Sequence, residues 1–433
     1  MISPQVEHLP VRLYPQPSRV VLRPFTPSDP PGSMAGAGQH RQHLLERILA
    51  LPPADVSRCL ASMRSGLDDR HGDIVATLRQ RFEEVSAGRA LPPVSADQAL
   101  LIAAYFSEEY AFEAAALFSP SMTVHPDQEG VGDGSLRFVL SMRGVGDGHV
   151  SSVTFRTGLL DVAGQIVMDP PSPQASTPRI VQTAEDDPSR TAVRLEFNRP
   201  DDLSAVVIFP VTLEQRHGLE DLRLVRFVND DASVCYVGTY TAFSGEGIRQ
   251  ELLHTLDFQN FDLLPLAGDA SATKGMALFP RRIDGRFVML GRQDHESLSL
   301  LYSDDLQHWD TGIVIMRPRY DWELVQLGNC GSPIELEEGW LVVTHGVGMV
   351  RTYAIGACLL DLHDPSRILA RMTEPLIVAG PAQRDGYVPN VVYSCGAIVH
   401  EGKLIVPFGV ADSFVMFGTV PVSEVLGAMT PCR

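Results

Sequence analysis

The sequence predicts an all-β fold with a helical segment added at its N-terminus, and three observations support this fold class. Up to about residue 120, apolar residues recur at helical spacing. After about residue 130 the pattern changes to a period of two, and no amphipathic helical pattern longer than about ten residues follows. One arrangement of strands and turns also recurs along this second region. We therefore expect helices first and repeated β-structure after them.

Four helices are expected in the N-terminal segment. Ser95 followed by Gln98 forms a capping box, which marks the start of the fourth helix. Glu109 and Glu113 lie four residues apart on that helix and are interpreted as a solvated or interface face rather than as a catalytic pair. The predicted helices cover 39–51, a segment after Pro52–Pro53, 73–87 and the segment from Ser95 to about Phe118.

The β-region contains a repeat. Predicted strands cover 137–143, 151–160, 205–211, 233–240, 286–292 and 340–346. Four segments share the order strand, tight turn, strand, and their turn residues are Asp231, Gly285, Gly339 and Gly402, which are 54, 54 and 63 residues apart. A period near fifty with several strands per unit is typical of a propeller blade. With an earlier unit at 135–158, the pattern predicts a five-bladed β-propeller at 126–433 and a helical extension at 1–125.

Composition excludes several classes of protein. The chain has 53 acidic and 35 basic residues and a formal charge of −18, which opposes binding to nucleic acid or to an anionic membrane. Six cysteines without CxxC or CxxH spacing predict neither a disulfide framework nor a zinc site, so no metal is expected. We see neither a secretory signal nor an apolar run of membrane-spanning length, and we expect a cytoplasmic protein.

Charged residues follow the ends of several predicted strands. One such residue is ordinarily solvated or structural, but six at equivalent blade positions would all face the central channel of a propeller. These residues are Arg143, Asp221 with Arg223, Lys274, Arg292, His345 and Asp412.

Several motifs give the chain a resemblance to glycoside hydrolase family 130. The resemblance spans roughly residues 130–420 and implies a five-bladed propeller that cleaves β-mannosidic bonds with inversion. Some members of this family are phosphorylases and others are hydrolases, and neither reaction requires a metal. The motifs are HGLEDLRLVRF (217–227), KGMALFPRRIDGRFVMLGR (274–292), SDDLQHW (303–309), SPIELEEGWLVVTHGVG (332–348) and FGVAD (408–412).

The resemblance also implies roles for individual residues. Asp221 matches the catalytic acid in the family's Glu-Asp-Pro-Arg motif, although Leu222 stands here in place of the proline. An acid that stays protonated near neutral pH would have to lie beside Glu220 or in a poorly solvated pocket. The mannose site is implied to be lined by Arg143, Arg223, Lys274, Arg292, His345 and Asp412.

The sequence leaves open whether water or phosphate is the nucleophile that attacks the sugar. A hydrolase needs a second carboxylate as base, about 6.5–9.5 Å from the acid, and Glu296 and Glu323 are the candidates. A phosphorylase uses inorganic phosphate as co-substrate and needs cations to hold it; Arg249, which matches a phosphate-binding arginine of the family, would act with Lys274 and Arg292. The interpretation preferred from sequence is a β-1,2-mannosidase acting on small manno-oligosaccharides, with the phosphorylase as the alternative and a non-catalytic carbohydrate-binding propeller as a third.

The N-terminal helices are predicted to be an accessory part. Their charges are scattered, and their apolar faces need burial against the propeller or against a second copy of the chain, which would give a homo-oligomer. Segment 107–128 is the expected contact, and it would bring His125 and Asp127 close to the rim of the channel.

Overall fold

The computed structural model describes residues 4–25, 27, 39–67, 70–88, 91–182, 192–197 and 202–432, which divide into two compact units. The larger unit comprises Met1–Gln16, Glu113–Ser172 and Pro178–Arg433, and the smaller comprises Pro17–Phe112 and Pro173–Thr177. The units divide after Phe112, whereas the sequence predicted a boundary after residue 125. The accessory role of the helical unit stays a prediction.

Strands dominate the described residues, as the sequence predicts. The helices are α1 (Gln39–Leu49), α2 (Pro53–Leu67), α3 (Ile74–Ser86), α4 (Ala96–Tyr105) and α5 (Val422–Ala428). The strands are β1 (Glu7–Leu13), β2 (Val20–Pro24), β3 (Ser107–Ala111), β4 (Ala116–Val124), β5 (Leu136–Val145), β6 (Ser151–Leu160), β7 (Ile166–Met168), β8 (Arg179–Gln182), β9 (Val193–Glu196), β10 (Val207–Ile208), β11 (Gly218–Val228), β12 (Val234–Phe243), β13 (Ile248–Thr255), β14 (Asn260–Pro265), β15 (Lys274–Leu278), β16 (Phe287–Arg292), β17 (Leu298–Ser303), β18 (Ile313–Met316), β19 (Gln326–Asn329), β20 (Ile334–Leu336), β21 (Gly339–Val347), β22 (Tyr353–Leu360), β23 (Ile368–Met372), β24 (Ile377–Val378), β25 (Val392–Tyr393), β26 (Ile398–His400), β27 (Lys403–Val410), β28 (Phe414–Pro421) and β29 (Met429–Pro431).

In the smaller unit, the helices pack on one another. The capping box of α4 is confirmed: Ser95 Oγ accepts from the Gln98 amide at 3.1 Å, and Gln98 Oε1 accepts from the Ser95 amide at 3.3 Å. The apolar helix faces share a core of their own, beside the β2–β3 pair. This core contains Leu45, Ile48, Val56, Leu60, Leu101, Ile102 and Phe106.

The expectation that α4 continues to Phe118 is wrong. The helix ends at Tyr105, and the chain then forms β3 and β4. Pro120 has no amide hydrogen for a helix, and pairing of β4 with β5 overrides the helix propensity of the alanine-rich run before it. Glu113 is correspondingly not on a solvated helix face; it is fully buried and accepts from Arg156 Nη2 at 2.8 and 3.0 Å.

The larger unit contains five groups of antiparallel strands. We call them the first to fifth strand groups: β4–β5–β6, β11–β12–β13–β14, β15–β16–β17–β18, β19–β21–β22–β23 and β25–β27–β28–β1. One parallel pair, Gly218 with Ser151, joins the first two groups into a single sheet. The remaining strands pair at their margins, for example β7 and β10 with β6. Of the predicted turn residues, Asp231 and Gly285 lie in the β11–β12 and β15–β16 connections, Gly402 lies between β26 and β27, and Gly339 is the first residue of β21, just after β20.

Hydrogen bonds link each strand group to the next one along the chain, and the fifth group to the first. Side chains make three of these links, because Ser, Thr and Asn reach backbone groups that the ladders leave free. The links are Leu224 N to Ser121 Oγ, Thr239 Oγ1 to the Met276 carbonyl, Asn329 Nδ2 to the Gly275 carbonyl, Tyr353 N to the Asn390 carbonyl and Cys395 N to the Pro120 carbonyl. Strand ends from all five groups are thereby brought to one region. None of the described helices has the length and apolar character needed to cross a membrane.

Replacing Ser121 by alanine should test these links. Ser121 is fully buried, and its Oγ accepts from the Leu224 amide at 3.1 Å. Ser121→Ala leaves that amide without its partner, so the free energy of unfolding should fall by about 1–3 kcal/mol. Urea unfolding measures the change. Ser366→Ala, which removes a hydroxyl from a surface turn, is the control and should change stability by less than about 0.5 kcal/mol. Equal effects for the two variants would contradict the structural role of Ser121.

Candidate active site

Asp221 lies at a bulge in β11, where the register to β12 shifts between Glu220 and Arg223. Its φ of 55° is in the left-handed region, which aspartate tolerates better than most residues. Ser119, also at positive φ and in the bulge of β4, donates its hydroxyl to Asp221 Oδ1 at 2.7 Å. The bulges of two neighbouring strand groups thus hold the candidate acid.

Glu220 bridges two cations. Its Oε1 accepts from Arg143 Nη2 at 2.8 Å, and its Oε2 accepts from Lys274 Nζ at 2.9 Å. Arg143 also lies 3.8 Å from Asp221 Oδ1. These side chains come from β5, β11 and β15, so Glu220 connects the first three strand groups through charge.

A second line of contacts continues to the fourth and fifth groups. Arg223, almost fully buried, donates from Nη1 to the Asp221 carbonyl at 3.1 Å and from Nη2 to the Tyr393 hydroxyl at 2.6 Å. The Tyr393 ring meets the His345 ring edge to face at 5.0 Å between centroids. Arg292 Nη1 lies 3.1 Å from His345 Nε2. The structure therefore brings Asp221, Arg223, His345 and Arg292 together and adds Tyr393.

His345 is held in one neutral tautomer. Its Nδ1 donates to the carbonyl of Asn329 at 3.0 Å, because a carbonyl can only accept, and this leaves Nε2 to accept from Arg292. Burial, with the charges of Arg292 and Arg223, lowers the pKa of His345 to about 3. The ring is an acceptor that orients Arg292, and it carries no charge near neutral pH.

The pKa values of the two aspartates of the site, Asp221 and Asp412, are shifted in opposite directions. Burial by itself would raise the pKa of Asp221, but Arg143, Arg223, the Ser119 hydrogen bond and Lys274 together lower it. Burial and the nearby charge of Asp221 raise the pKa of Asp412 to about 6, against the opposing effect of Arg143 and Arg351. Asp412 lies in the β27–β28 turn and belongs to the same cluster through these charges. The expectation of a protonated Asp221 is not met by the side chains around it.

Arg292 has no carboxylate partner within ion-pair distance in the part of the chain that the structure describes. Its Nη1 lies against the neutral His345, and its buried Nε has no hydrogen-bond partner among the described residues. Burial lowers the pKa of Arg292. A half-buried guanidinium that has no carboxylate within ion-pair distance is suited to bind an anion.

The two predicted bases, Glu296 and Glu323, have different partners from the side chains of the Asp221 cluster. Glu296 is exposed in the β16–β17 turn, where its backbone carbonyl accepts from the Leu327 amide at 2.8 Å. Glu323 is fully buried, and its Oε1 accepts from Arg371 and from the amides of Arg319 and Tyr320. The interpretation of Glu323 as a carboxylate open to the site is corrected by these contacts, since its charge is already neutralised by Arg371.

Arg249 lies near Glu251 and Tyr240. Its Nη2 donates to the Leu266 carbonyl at 3.3 Å, and its charge counteracts the raised pKa values of Glu251 and Tyr240. Sequence reasoning also missed two residues that contact the cluster, Ser119 and Tyr393. A signal for Ser119 was present in the Ser119–Pro120 pair, because proline inside a strand indicates a bulge.

Residues 199–430 match the family model of glycoside hydrolase family 130, described as beta-1,4-mannooligosaccharide phosphorylase. The chain belongs to glycoside hydrolase family 130. It is 31% identical over 219 residues to a 1,2-beta-oligomannan phosphorylase of Thermoanaerobacter sp. (strain X514), covering 49% of this chain and 72% of the relative. It is 33% identical over 217 residues to a beta-1,2-mannobiose phosphorylase of the same strain, covering 49% and 70%.

A solved family structure has the same fold. The beta-1,2-mannobiose phosphorylase from Listeria innocua, in complex with beta-1,2-mannobiose, superposes with a TM-score of 0.50 at 20% identity, over 72% of this chain and 92% of that one. The curated relatives of this family-130 chain are mannoside phosphorylases. They do not support the preference for hydrolysis that the sequence suggested, and the phosphorylase alternative fits them better.

The charge state of His345 can be measured directly. We expect ¹H–¹⁵N spectra of ¹⁵N-histidine-labelled protein to show the neutral, Nδ1-protonated ring of His345 from pH 7 to about pH 4.5, whereas an unperturbed histidine titrates near 6.5. The unfolded chain then binds a proton that the folded chain does not, so His345 lowers stability as pH falls from about 6.5 towards 3. His345→Gln assigns the signal. A doubly protonated His345 ring at pH 5.5 would contradict this.

Proposed function

We propose that this family-130 enzyme is an inverting β-mannoside phosphorylase. Its substrates would be small β-1,2-linked manno-oligosaccharides and inorganic phosphate, and its products mannose 1-phosphate and the shortened sugar. The observation that carries this proposal is the half-buried Arg292, whose guanidinium faces neutral His345 and has no carboxylate among the described residues within ion-pair distance.

The charge balance of the cluster supports an anionic co-substrate. Four cations, Arg143, Arg223, Lys274 and Arg292, meet two carboxylates on one strand, Glu220 and Asp221, while the pKa of Asp412 is raised to about 6. Glu220 bridges Arg143 and Lys274, and Asp221 lies near Arg143 and Arg223, so these two carboxylates leave two of the four positive charges unbalanced. Arg292 has no described carboxylate within ion-pair distance. Phosphate is stabilised in such surroundings by charge-assisted hydrogen bonds from planar guanidinium groups.

Bound phosphate would also explain how Asp221, the proposed general acid, becomes protonated. A general acid must be protonated, yet Arg143, Arg223 and Lys274 favour ionised Asp221. A phosphate dianion held by Arg223, Lys274 and Arg292 would add like charge near the carboxylate and screen these cations, and so would raise the pKa of Asp221. Binding of the co-substrate would thus prepare the acid.

The reaction balances without a second protein base. A phosphate oxygen attacks C1 of the mannosyl residue as the bond from C1 to the leaving oxygen breaks on the opposite side. The proton of Asp221 passes to the leaving oxygen, and the hydroxyl proton of the bound hydrogen phosphate replaces it on Asp221. Since the nucleophile is already an anion, Glu296 and Glu323 are not needed as bases, and no redox cofactor or metal enters the step.

We further propose that the five strand groups are the blades of a five-bladed β-propeller. The links from each group to the next, and from the fifth to the first, support a closed arrangement. Ligand sites of propellers lie where inner strands converge, and the cluster draws residues from all five groups. Arg143, Asp412 and His345 would line the mannose site there, with the remaining cations holding phosphate.

The proposed activity predicts phosphate-dependent cleavage. Incubation of the full chain with β-1,2-mannobiose should give mannose 1-phosphate only when phosphate is present, measured by ³¹P NMR and by chromatography of the sugars. Asp221→Asn should lower kcat at least about 100-fold, because its amide cannot donate the proton. Glu296→Gln is the matched carboxylate control and should retain wild-type turnover.

Two outcomes would contradict this proposal. Release of free mannose at a rate independent of phosphate would identify a hydrolase, and loss of that activity in Glu296→Gln would name its base. Binding of mannosides without any product, in both the presence and absence of phosphate, would identify a carbohydrate-binding protein. β-1,4-mannobiose run in parallel tests the linkage.

Arg292→Gln should separate phosphate binding from sugar binding. Loss of charge-assisted hydrogen bonds worth about 1.5–3 kcal/mol should raise the KM for phosphate roughly 10- to 100-fold, with a small change in the KM for mannobiose. Arg281→Gln is the control, because Arg281 pairs with Glu335 at an exposed site. Arg249→Ala, measured beside them, tests the third predicted phosphate ligand. Unchanged phosphate KM in Arg292→Gln would place the anion elsewhere.

A further inference from the structure

An exposed aromatic residue stands beside the Asp412 turn. The Tyr387 side chain belongs to a loop, residues 384–390, and the residue is 55% exposed. Its amide donates to Ser413 Oγ at 2.8 Å, and the amide of Val388 donates to the carbonyl of Ala411 at 2.9 Å. The loop is therefore fixed to the two residues that flank Asp412.

Two further features restrain this loop: a close backbone approach at Gly386 and a hydrogen bond at Asn390. A Cβ on Gly386 would lie 2.5 Å from Ser413 Oγ and 2.6 Å from the Ala411 Cβ, so only glycine permits this close approach. At the other end of the loop, the Asn390 carbonyl accepts from the amide of Tyr353 at 3.0 Å. The loop is thus held by the fifth strand group on one side and by the fourth on the other.

Tyr387 is paired with an exposed histidine of the first strand group. The Tyr387 hydroxyl and His149 Nδ1 lie 3.2 Å apart, and the two rings are 5.9 Å apart at an angle of 31°. His149 lies in the β5–β6 turn at a φ of 58°, a few residues after Arg143 on the same hairpin. His149 therefore lies on the turn that follows Arg143, and Tyr387 lies on a loop that contacts the two neighbours of Asp412.

A fixed, exposed aromatic pair next to a polar cluster has the chemistry of a sugar-binding surface. A pyranose has an apolar face of C–H groups and a rim of hydroxyls, which matches a flat ring flanked by hydrogen-bonding atoms. Here the ring of Tyr387 supplies the flat surface, and its hydroxyl with the imidazole of His149 supplies the polar atoms. Since backbone contacts already hold the loop, little conformational entropy is lost when a ligand stacks on it.

We propose that Tyr387 and His149 form a subsite for the leaving-group part of the manno-oligosaccharide, the sugar on the far side of the cleaved bond. The inference rests on the proposed function, because it takes the mannosyl residue to lie at the cluster of Arg143 and Asp412. Tyr387 then sets which sugars and chain lengths are accepted, and it takes no part in proton transfer.

The test is a comparison of Tyr387→Ala with Tyr387→Phe in phosphorolysis of β-1,2-mannobiose and β-1,2-mannotriose. Tyr387→Ala should raise the KM for the sugar about ten-fold, the effect of losing one aromatic stacking contact, while kcat and the KM for phosphate stay within about two-fold. Tyr387→Phe keeps the ring and should change the sugar KM less than about three-fold. Tyr105→Ala, an exposed tyrosine at the end of α4, is the control.

A binding measurement separates this inference from the proposed function. Calorimetric titration of β-1,2-mannobiose into Asp221→Asn, with and without Tyr387→Ala, reports the subsite without turnover. Weaker binding in the double variant supports the subsite even if the wild-type protein makes no mannose 1-phosphate. Equal sugar KM and equal affinity overturn it even if phosphorolysis is observed, and absence of mannobiose binding overturns it as well. If Tyr387→Ala does not fold, His149→Ala replaces it, with an expected smaller rise in the sugar KM.

Discussion

The carboxylate of Glu220, held between Arg143 and Lys274, is the interaction on which the rest of the site depends. The Glu220 side chain is only 13% exposed, so its attraction to both cations is weakly screened. Glu220 is the carboxylate that Arg143 and Lys274 share, so its removal would leave both cations without their hydrogen-bonded carboxylate. Glu220 and Asp221 carry two negative charges against the four cations Arg143, Arg223, Lys274 and Arg292, and among the described residues Arg292 has no carboxylate within ion-pair distance. The position of an incoming anion follows from that distribution.

The same charges move the pKa values of Asp221 and Asp412 apart. The lowered pKa of Asp221 contributes stability above its unfolded value of about 3.9, and this contribution is lost as pH falls. Asp412 acts in the opposite direction: its stabilising effect is present below about pH 4 and is lost as pH rises through about 6. Near neutral pH the half-buried Asp412 carboxyl therefore costs stability. A carboxyl kept in so unfavourable a place is typical of functional sites, where stability is given up for binding or chemistry.

Much of the fold was predictable because its signals are local. Alternating strands, tight turns and the Ser95 capping box need only neighbouring residues to be recognised, and the repeat appears when these local patterns are compared along the chain. The misassigned end of α4 shows the limit, since the alanine-rich run before Phe118 becomes a strand only through pairing with β5. Carboxylates show the same limit. Glu323 and Glu220 look alike in sequence, but one is neutralised by Arg371 and the other by Arg143 and Lys274, partners distant along the chain.

The replacement of proline by Leu222 illustrates how the acid keeps its position in this chain. Leu222 is buried in the core of the second strand group, and its Cδ1 lies 2.6 Å from where a Cβ on residue 238 of β12 would stand. Gly238 therefore makes room for the leucine, which a larger residue opposite it would displace. The β11 bulge is held by two hydrogen bonds to Asp221: Ser119 donates to its carboxylate, and Arg223 donates to its carbonyl. Packing of Leu222 and two hydrogen bonds thus supply the restraint on the turn that a proline ring would otherwise provide by fixing its own φ.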